Sequence, residues 1–303
     1  MLSRRTFLEA AVGTAVIHSQ LVRAQTAEPW GSPVIDLHHH WRRQVDANLL
    51  HMDGAGIARA VLLTDAAQDS QAAAMPPDRF TRFTSVNAAR ADAIDLLRQA
   101  ARAGTRGFGE MKSPVAADSP EMRRVYALAA ELGLPVLIHF QESSQEQSAG
   151  TFNTGFDRLP AVLREYPRTI FIGHANSFWA NISAQVTDPN YPSDAVQPGG
   201  LTDRMLSEFP NLYGDLSATS GRNALARSPD FSADFLARQQ DKLLFGSDCG
   251  CRDGRGAGQS NPHPLIAGKC VARETLTALK QLASPEVFRK LTWQNAVRLL
   301  KLA

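Results

Sequence analysis

The chain has 303 residues, 44% hydrophobic and 20% charged, with a formal net charge of +2. That is the composition of a globular protein able to bury a sizeable core, as one large barrel or two ordinary domains. No apolar run reaches the roughly 18 residues needed to cross a bilayer, and no Gly/Ser or Pro tract is long enough to link separate domains.

The first element is an N-terminal appendage, "MLSRRTFLEAAVGTAVIHSQLVRAQ". Arg4 and Arg5 lead into a weakly apolar stretch from Ala10 to Ile17, and Val22-Arg23-Ala24 supplies small residues where a signal peptidase cuts. The pair followed by Thr6, Phe7 and Leu8 resembles the twin-arginine signal, so residues 1–24 read as a cleavable export signal and residues 25–303 as the domain. The expected partner is the twin-arginine export machinery and the expected location the periplasm. That route carries folded proteins, which suits a chain that acquires a metal or other cofactor before export. Cleavage after Ala24 would remove the excess of basic residues. Nothing then argues for nucleic acid or an anionic membrane surface as a partner.

Eight short apolar runs follow, six of them ending in a polar residue: Val34 to His38, Ala60 to Leu63, Phe83 to Asn87, Gly107 to Met111, Pro135 to His139, Thr169 to His174, Leu212 to Ser217 and Lys242 to Asp248. Helical patterns separate them. Ser119-Pro120-Glu121 forms a cap and first turn, Met122, Val125, Leu128, Ala129 and Leu132 recur at helical spacing, and Gly133 stops the helix. Leu159, Val162 and Leu163 repeat the pattern before Pro167, and Ser284-Pro285-Glu286 opens a last helix carrying Val287, Phe288, Leu291, Ala296, Leu299 and Leu300. Eight alternations over about 250 residues predict an α/β fold, a single-domain (β/α)8 TIM barrel, with its chemistry at the C-terminal ends of the strands.

The run ends carry His38 and His40, Glu110, His139, His174, Asp215 and Asp248. Strand alternation places Asp36, His38 and His40 on the inner face and turns Leu37 and His39 outward, so that His39 packs against a helix. His38 and His40 are then spaced to hold one divalent cation. Each of these residues alone has an ordinary structural reading: a hydrogen-bonded buried histidine, or a helix cap for Asp248. Their joint placement at different strand ends predicts a metal site.

"IDLHHHW", "GFGEMK", "PVLIHF", "FIGHA", "LLFGSD" and "WQNAVRLL" resemble the metal-dependent amidohydrolase superfamily, specifically its amidohydrolase-2 branch, over residues 33 to 303. The resemblance implies that His38, His40, His139 and Asp248 are metal ligands. It implies that His174 is a ligand to a second metal or the acid/base that holds the water, and that Asp248 accepts the proton of the attacking water. Glu110 resembles the bridging glutamate of TatD-type hydrolases; a substrate contact or a barrel-end salt bridge are its other readings. The implied cofactor is one or two divalent ions, zinc by default, with manganese or iron compatible. The implied activity is hydrolysis of an ester, lactone or amide carbonyl in a small molecule. The alternatives are a non-oxidative decarboxylase of the same branch and a non-catalytic exported metal- or ligand-binding protein.

Lys112, Arg42, Arg43 and Arg222 are cations suited to a carboxylate-bearing substrate, each with a solvated loop charge as its plain alternative. Asp215 and Ser217 share a face at the seventh run end, where either would satisfy backbone groups. The long segments 175–205 and 249–264 are candidate pocket walls or lids, the first offering Asn176, Phe178 and Trp179, with plain packing under the loop as the alternative for the aromatics. Cys249, Cys251 and Cys270 lie within 22 residues. Cys-x-Cys is too short to count as a zinc motif by itself, and geometry favours pairing either residue with Cys270 if a disulfide forms. Homo-oligomerisation is left open.

Overall fold

The computed structural model describes residues 29–144 and 150–302. The export-signal reading of residues 1–24 lies outside the described residues. Eight parallel strands form one sheet in strict sequence order: β1 (Ile35–His40), β2 (Arg59–Asp65), β3 (Phe80–Ser85), β4 (Phe108–Met111), β5 (Val136–His139), β6 (Phe171–His174), β7 (Leu212–Asp215) and β8 (Leu243–Leu244). Helices fill each connection, so the chain is a (β/α)8 barrel as the alternation predicts. β3 begins three residues earlier than its apolar run, because Arg82 and Thr84 are polar strand residues satisfied by the buried Asp69.

Alternation explains the two packed layers. Val61 and Leu63 on β2, Leu137 on β5, Ile172 on β6 and Leu244 on β8 meet Ile35, Leu37 and Phe83 inside the barrel. Their strand neighbours Leu62, Val136, Ile138, Phe171 and Leu243 face outward into a second cluster shared with the helices. On α4 (Pro120–Leu132), Ser119 Oγ accepts the Met122 amide and Gly133 closes the end in the left-handed conformation. Leu132 is 39% exposed, and Tyr126 takes a buried place on that helix instead. The last helical stretch is α11 (Pro285–Arg289), a π-helical turn (Lys290–Gln294) and α12 (Asn295–Leu300). Ala296, Leu299 and Leu300 of α12 join the interior cluster.

The seam between β8 and β1 is irregular, and here the simple alternation fails. On its other side, in the pairing with β2, β1 has a register shift between Asp36 and His39. Leu37 therefore belongs to the barrel interior, while Asp36 turns away from His38 and His40, towards His39. Its buried carboxylate accepts the amides of His38 (3.0 Å) and Ser247 (2.7 Å) and the Ser247 hydroxyl (2.5 Å). Leu37 N donates to Phe245 O and Asp248 N to His38 O, so the exit of β8 crosses to β1 after only two ladder residues. Gly246 allows the approach, since a Cβ there would lie 2.3 Å from Asp215 Oδ1 and 2.8 Å from His38 Cβ.

Ser247→Ala deletes the hydroxyl that satisfies Asp36 Oδ2 inside the seam. It should destabilise the fold by about 1–3 kcal/mol in chemical denaturation. An unchanged midpoint would mean that the hydroxyl does not support closure.

Candidate metal centre

Parallel register brings the strand ends to one height: His139 on β5 stands directly opposite His174 on β6. His38 comes from the end of β1, and Glu110 reaches the same space from β4 through a second register shift between Phe108 and Met111. Asp248 follows β8. The structure thus collects His38, His40, Glu110, His139, His174 and Asp248 into one cluster.

Ligand atoms fall into three overlapping groups, each within 4.8 Å of one another: His38, His40 and Glu110; His38, His174 and Asp248; Glu110, His139 and His174. Glu110 lies between them. Its Oε2 is 3.8 Å from His38 Nε2 and 3.5 Å from His40 Nε2, and its Oε1 is 2.5 Å from His139 Nδ1 and 3.4 Å from His174 Nε2. Asp248 Oδ1 is 3.2 Å from His40 Nε2, and its side chain is partly open to solvent.

The buried hydrogen bonds decide which nitrogens point inward. Asp215 Oδ2 is 2.7 Å from both His38 Nδ1 and Ser217 Oγ. The single Ser217 proton goes to that carboxylate, so Ser217 Oγ accepts from His174 Nδ1 at 2.8 Å. His38 and His174 are then both Nδ1–H tautomers, with Nε2 lone pairs aimed at the centre. His139 is held the other way round. Gln141 donates its amide to Gly150 O and accepts from His139 Nε2 at 2.9 Å, which leaves Nδ1 facing Glu110.

Charge follows the same geometry. Burial pushes the Glu110 carboxyl up, but the charge of His139 and its hydrogen bond hold it well below the usual carboxylate range. Burial likewise opposes ionisation of Asp248, and the charges of His38 and His40 overcome it. Burial lowers His38, yet Asp248 and Asp215 raise it well above an ordinary imidazole, so that without an ion its Nε2 holds the proton a cation would displace, while burial and the nearby His38 hold His174 well below one. Burial raises Asp215. Among the described residues the ion-pair partners of Glu110, Asp215 and Asp248 are all histidines. Inward lone pairs, ionised carboxylates and the lack of a lysine or arginine counter-charge fit a divalent cation.

A cavity of about 220 Å³ opens on this cluster. Lys112 and Asn176 line it, with Tyr191 and Asn261 from the two long segments and Ile266 just beyond the second. The Lys112 ammonium sits 5.0 Å over the Phe152 ring.

Trp179 and Arg222 do not line the cavity. Trp179 is buried on α6 (Ala175–Ala180), where it donates to Asp215 O and packs edge-on against Phe178. Gly214, and Gly173 for Phe178, leave the room those rings occupy. Arg222 lies on α8 (Ala218–Ala226), half-buried, and not in a loop. Arg42 donates to the carbonyls of Cys249 (2.6 Å) and Cys251 (2.7 Å), and so clamps a loop. Asp215 and Ser217 do more than satisfy backbone groups, because they set two of the histidines. No disulfide links the cysteines.

The sequence profile of the amidohydrolase family matches residues 42–302. The chain belongs to that family, whose members are metal-dependent. Solved structures of the same fold include 2,6-dihydroxybenzoate decarboxylase with 2,6-dihydroxybenzoate (16% identity, 89% of this chain, 100% of that chain, TM-score 0.51). A probable 2-pyrone-4,6-dicarboxylic acid hydrolase from Acinetobacter baumannii with citric acid bound matches at 14% identity (89% and 100%, TM-score 0.56). Dihydroorotase from Campylobacter jejuni matches at 16% identity (89% and 83%, TM-score 0.52). At such identities the likeness concerns the fold alone. No curated protein matches the chain.

Asp215→Asn removes the charge that fixes His38 and, through Ser217, His174. Affinity for a divalent cation should fall about 10- to 100-fold in competition with a chromophoric chelator. Wild-type affinity in that variant would show that the two rings need no such support.

Proposed function

We propose that this chain is a metal-dependent hydrolase with a binuclear centre, acting on an ester, lactone or amide carbonyl of a small molecule. The observation that carries this reading is the position of Glu110, which turns one oxygen to His38 and His40 and the other to His139 and His174. A carboxylate with a histidine pair on each oxygen is arranged as a bridge. His38, His40, Asp248 and Glu110 Oε2 would hold one ion, and His139, His174 and Glu110 Oε1 the other. Zinc suits these imidazole and carboxylate donors best, and manganese or iron are accepted by the same set. The bound ions supply Lewis acidity, which makes hydroxide available near neutral pH and polarises a substrate oxygen.

The chain's own groups do the rest. Asp248 stands at the edge of the cavity, ionised and partly exposed, where it can take a proton from water and return it to the leaving group. Asp215 and Ser217 keep His38 and His174 from turning, so the inward lone pairs are fixed before substrate arrives. The cavity admits only a small molecule, and the Lys112 ammonium on its wall suits a substrate carrying a carboxylate. We further propose that the protein works in the periplasm, a reading supported by the twin-arginine-like stretch Arg4 to Leu8.

Elemental analysis of the purified chain and its Glu110→Gln variant tests the bridge: the variant should hold one ion per chain fewer than the wild type. An equal ion count in both proteins would overturn it and favour a mononuclear enzyme. Loss of carbon dioxide from a carboxylate substrate, with no hydrolytic product, would replace the hydrolase by a decarboxylase of the same family. Asp248→Asn keeps a side chain that tolerates the left-handed backbone at 248, where φ is 46°. It should lower kcat about a hundred- to ten-thousand-fold on a panel of esters and lactones while retaining most of the metal. Wild-type turnover in that variant would remove Asp248 from the proton path.

A further inference from the structure

The fold completes what the Cys249-Gly250-Cys251 turn alone leaves unfinished. Cys270, the residue that caps α10 (Val271–Leu282), and His51, on α1 (Val45–Ala55), meet that turn below the surface. All four residues are buried, and their donor atoms lie within 4.8 Å of one another. Cys249 Sγ is 3.3 Å from Cys251 Sγ and 3.7 Å from Cys270 Sγ. A disulfide holds its sulfurs about 2.05 Å apart. Thiolates about 2.3 Å from one tetrahedral ion are spaced about 3.8 Å apart. These separations therefore resemble ligands round one ion and leave no room for the inorganic sulfides of an iron–sulfur cluster.

His51 supplies the independent observation. Its side chain is fully buried, and neither Nδ1 nor Nε2 has a hydrogen-bond partner. Buried polar atoms are seldom left this way, and ligation would satisfy one of them directly. We propose that His51, Cys249, Cys251 and Cys270 form a closed, mononuclear Cys3His site for a thiophilic divalent ion of the zinc class, separate from the histidine–carboxylate centre.

Binding releases the three thiol protons to solvent and leaves three thiolates and a neutral imidazole round a doubly charged ion. The complex carries one net negative charge. The Arg42 guanidinium, bonded to the carbonyls of Cys249 and Cys251, lies beside it. Two glycines let the backbones touch: a Cβ at Gly54 would lie 1.8 Å from Asp253 O, and one at Gly254 would lie 2.2 Å from His51 O. The ion thus ties α1, the exit of β8 and the start of α10 together. The segment it closes, from Cys251 to Cys270, contributes Gln259, Asn261 and Ile266 to the wall of the cavity. Its role is structural, because four protein ligands leave no open position.

Loading the full chain with Co2+ under anaerobic conditions distinguishes this site from the central one, which contains no sulfur. The spectrum should show an intense thiolate-to-cobalt charge-transfer band that persists in Glu110→Gln. Cys251→Ser and Cys270→Ser should each remove one ion per chain and weaken or abolish the band. In the zinc-loaded wild type, three thiols should resist alkylation until a chelator is added, so the result does not depend on the variants folding. Absence of the band, or rapid alkylation of all three thiols in the metal-loaded protein, would overturn the proposal. So would recovery of only one alkylatable thiol after denaturation without reductant, since that outcome identifies a disulfide.

Discussion

The buried carboxylate of Asp215 is the interaction on which the site depends. It accepts from His38 directly and from Ser217, and Ser217 accepts from His174 in turn. One acid on β7 therefore sets two rings delivered by β1 and β6, on opposite sides of it in the barrel. Both rings lose the freedom to flip, and both turn a lone pair inward. Burial penalises a lone carboxylate in such a place, so Asp215 is tolerable only because its partners arrive with protons to donate. The register of β1, β6 and β7 and the chemistry of the centre are one requirement.

Much of this was legible in the sequence because it is local and periodic. Eight apolar runs, most with polar ends, and helical patterns between them identify a parallel barrel. Barrel strands also order their terminal residues towards one face, which is why His38, His40, Glu110, His139, His174 and Asp248 could be gathered before any contact was visible. Asp36 was misplaced because a register shift in β1 breaks the two-residue period. Trp179 looked available for a pocket because nothing local reveals that its indole is buried and donates to Asp215 O, 36 residues away. The office of Asp215 towards His38 spans 177 residues, and no spacing rule reaches that far. "YGDLSA" did mark an acid and a hydroxyl on one face, but without the histidines opposite they had no purpose to display. His51 gave no signal at all, for its helix position resembles any buried histidine's.

The two ends of the barrel are built from different materials. At the amino-terminal end of the strands, α12 packs Ala296, Leu299 and Leu300 into an aliphatic interior. At the carboxyl end, nitrogen and oxygen donors face a small polar cavity, and beside it three sulfurs and an imidazole share a dry space. Donor softness sorts the two groups: imidazole and carboxylate accept a range of first-row ions, and thiolates favour zinc or softer metals. Adjacency in sequence, Asp248 followed by Cys249, joins the two sets through a single peptide bond.

The backbone at the strand exits has a further consequence. Ala175, Ala218 and Asp248 follow β6, β7 and β8 and all adopt left-handed conformations, with φ of 77°, 62° and 46°. Such a conformation costs an L-residue about 1–2 kcal/mol, and a branched Cβ makes it worse. Each of the three sits where the chain must swing away from the barrel mouth within one residue of a side chain that the centre uses. The permitted alphabet at these positions is consequently short: alanine, glycine, asparagine and aspartate. Drift or engineering aimed at a new substrate has more room among the exposed residues of the long segments round the cavity than at these three corners.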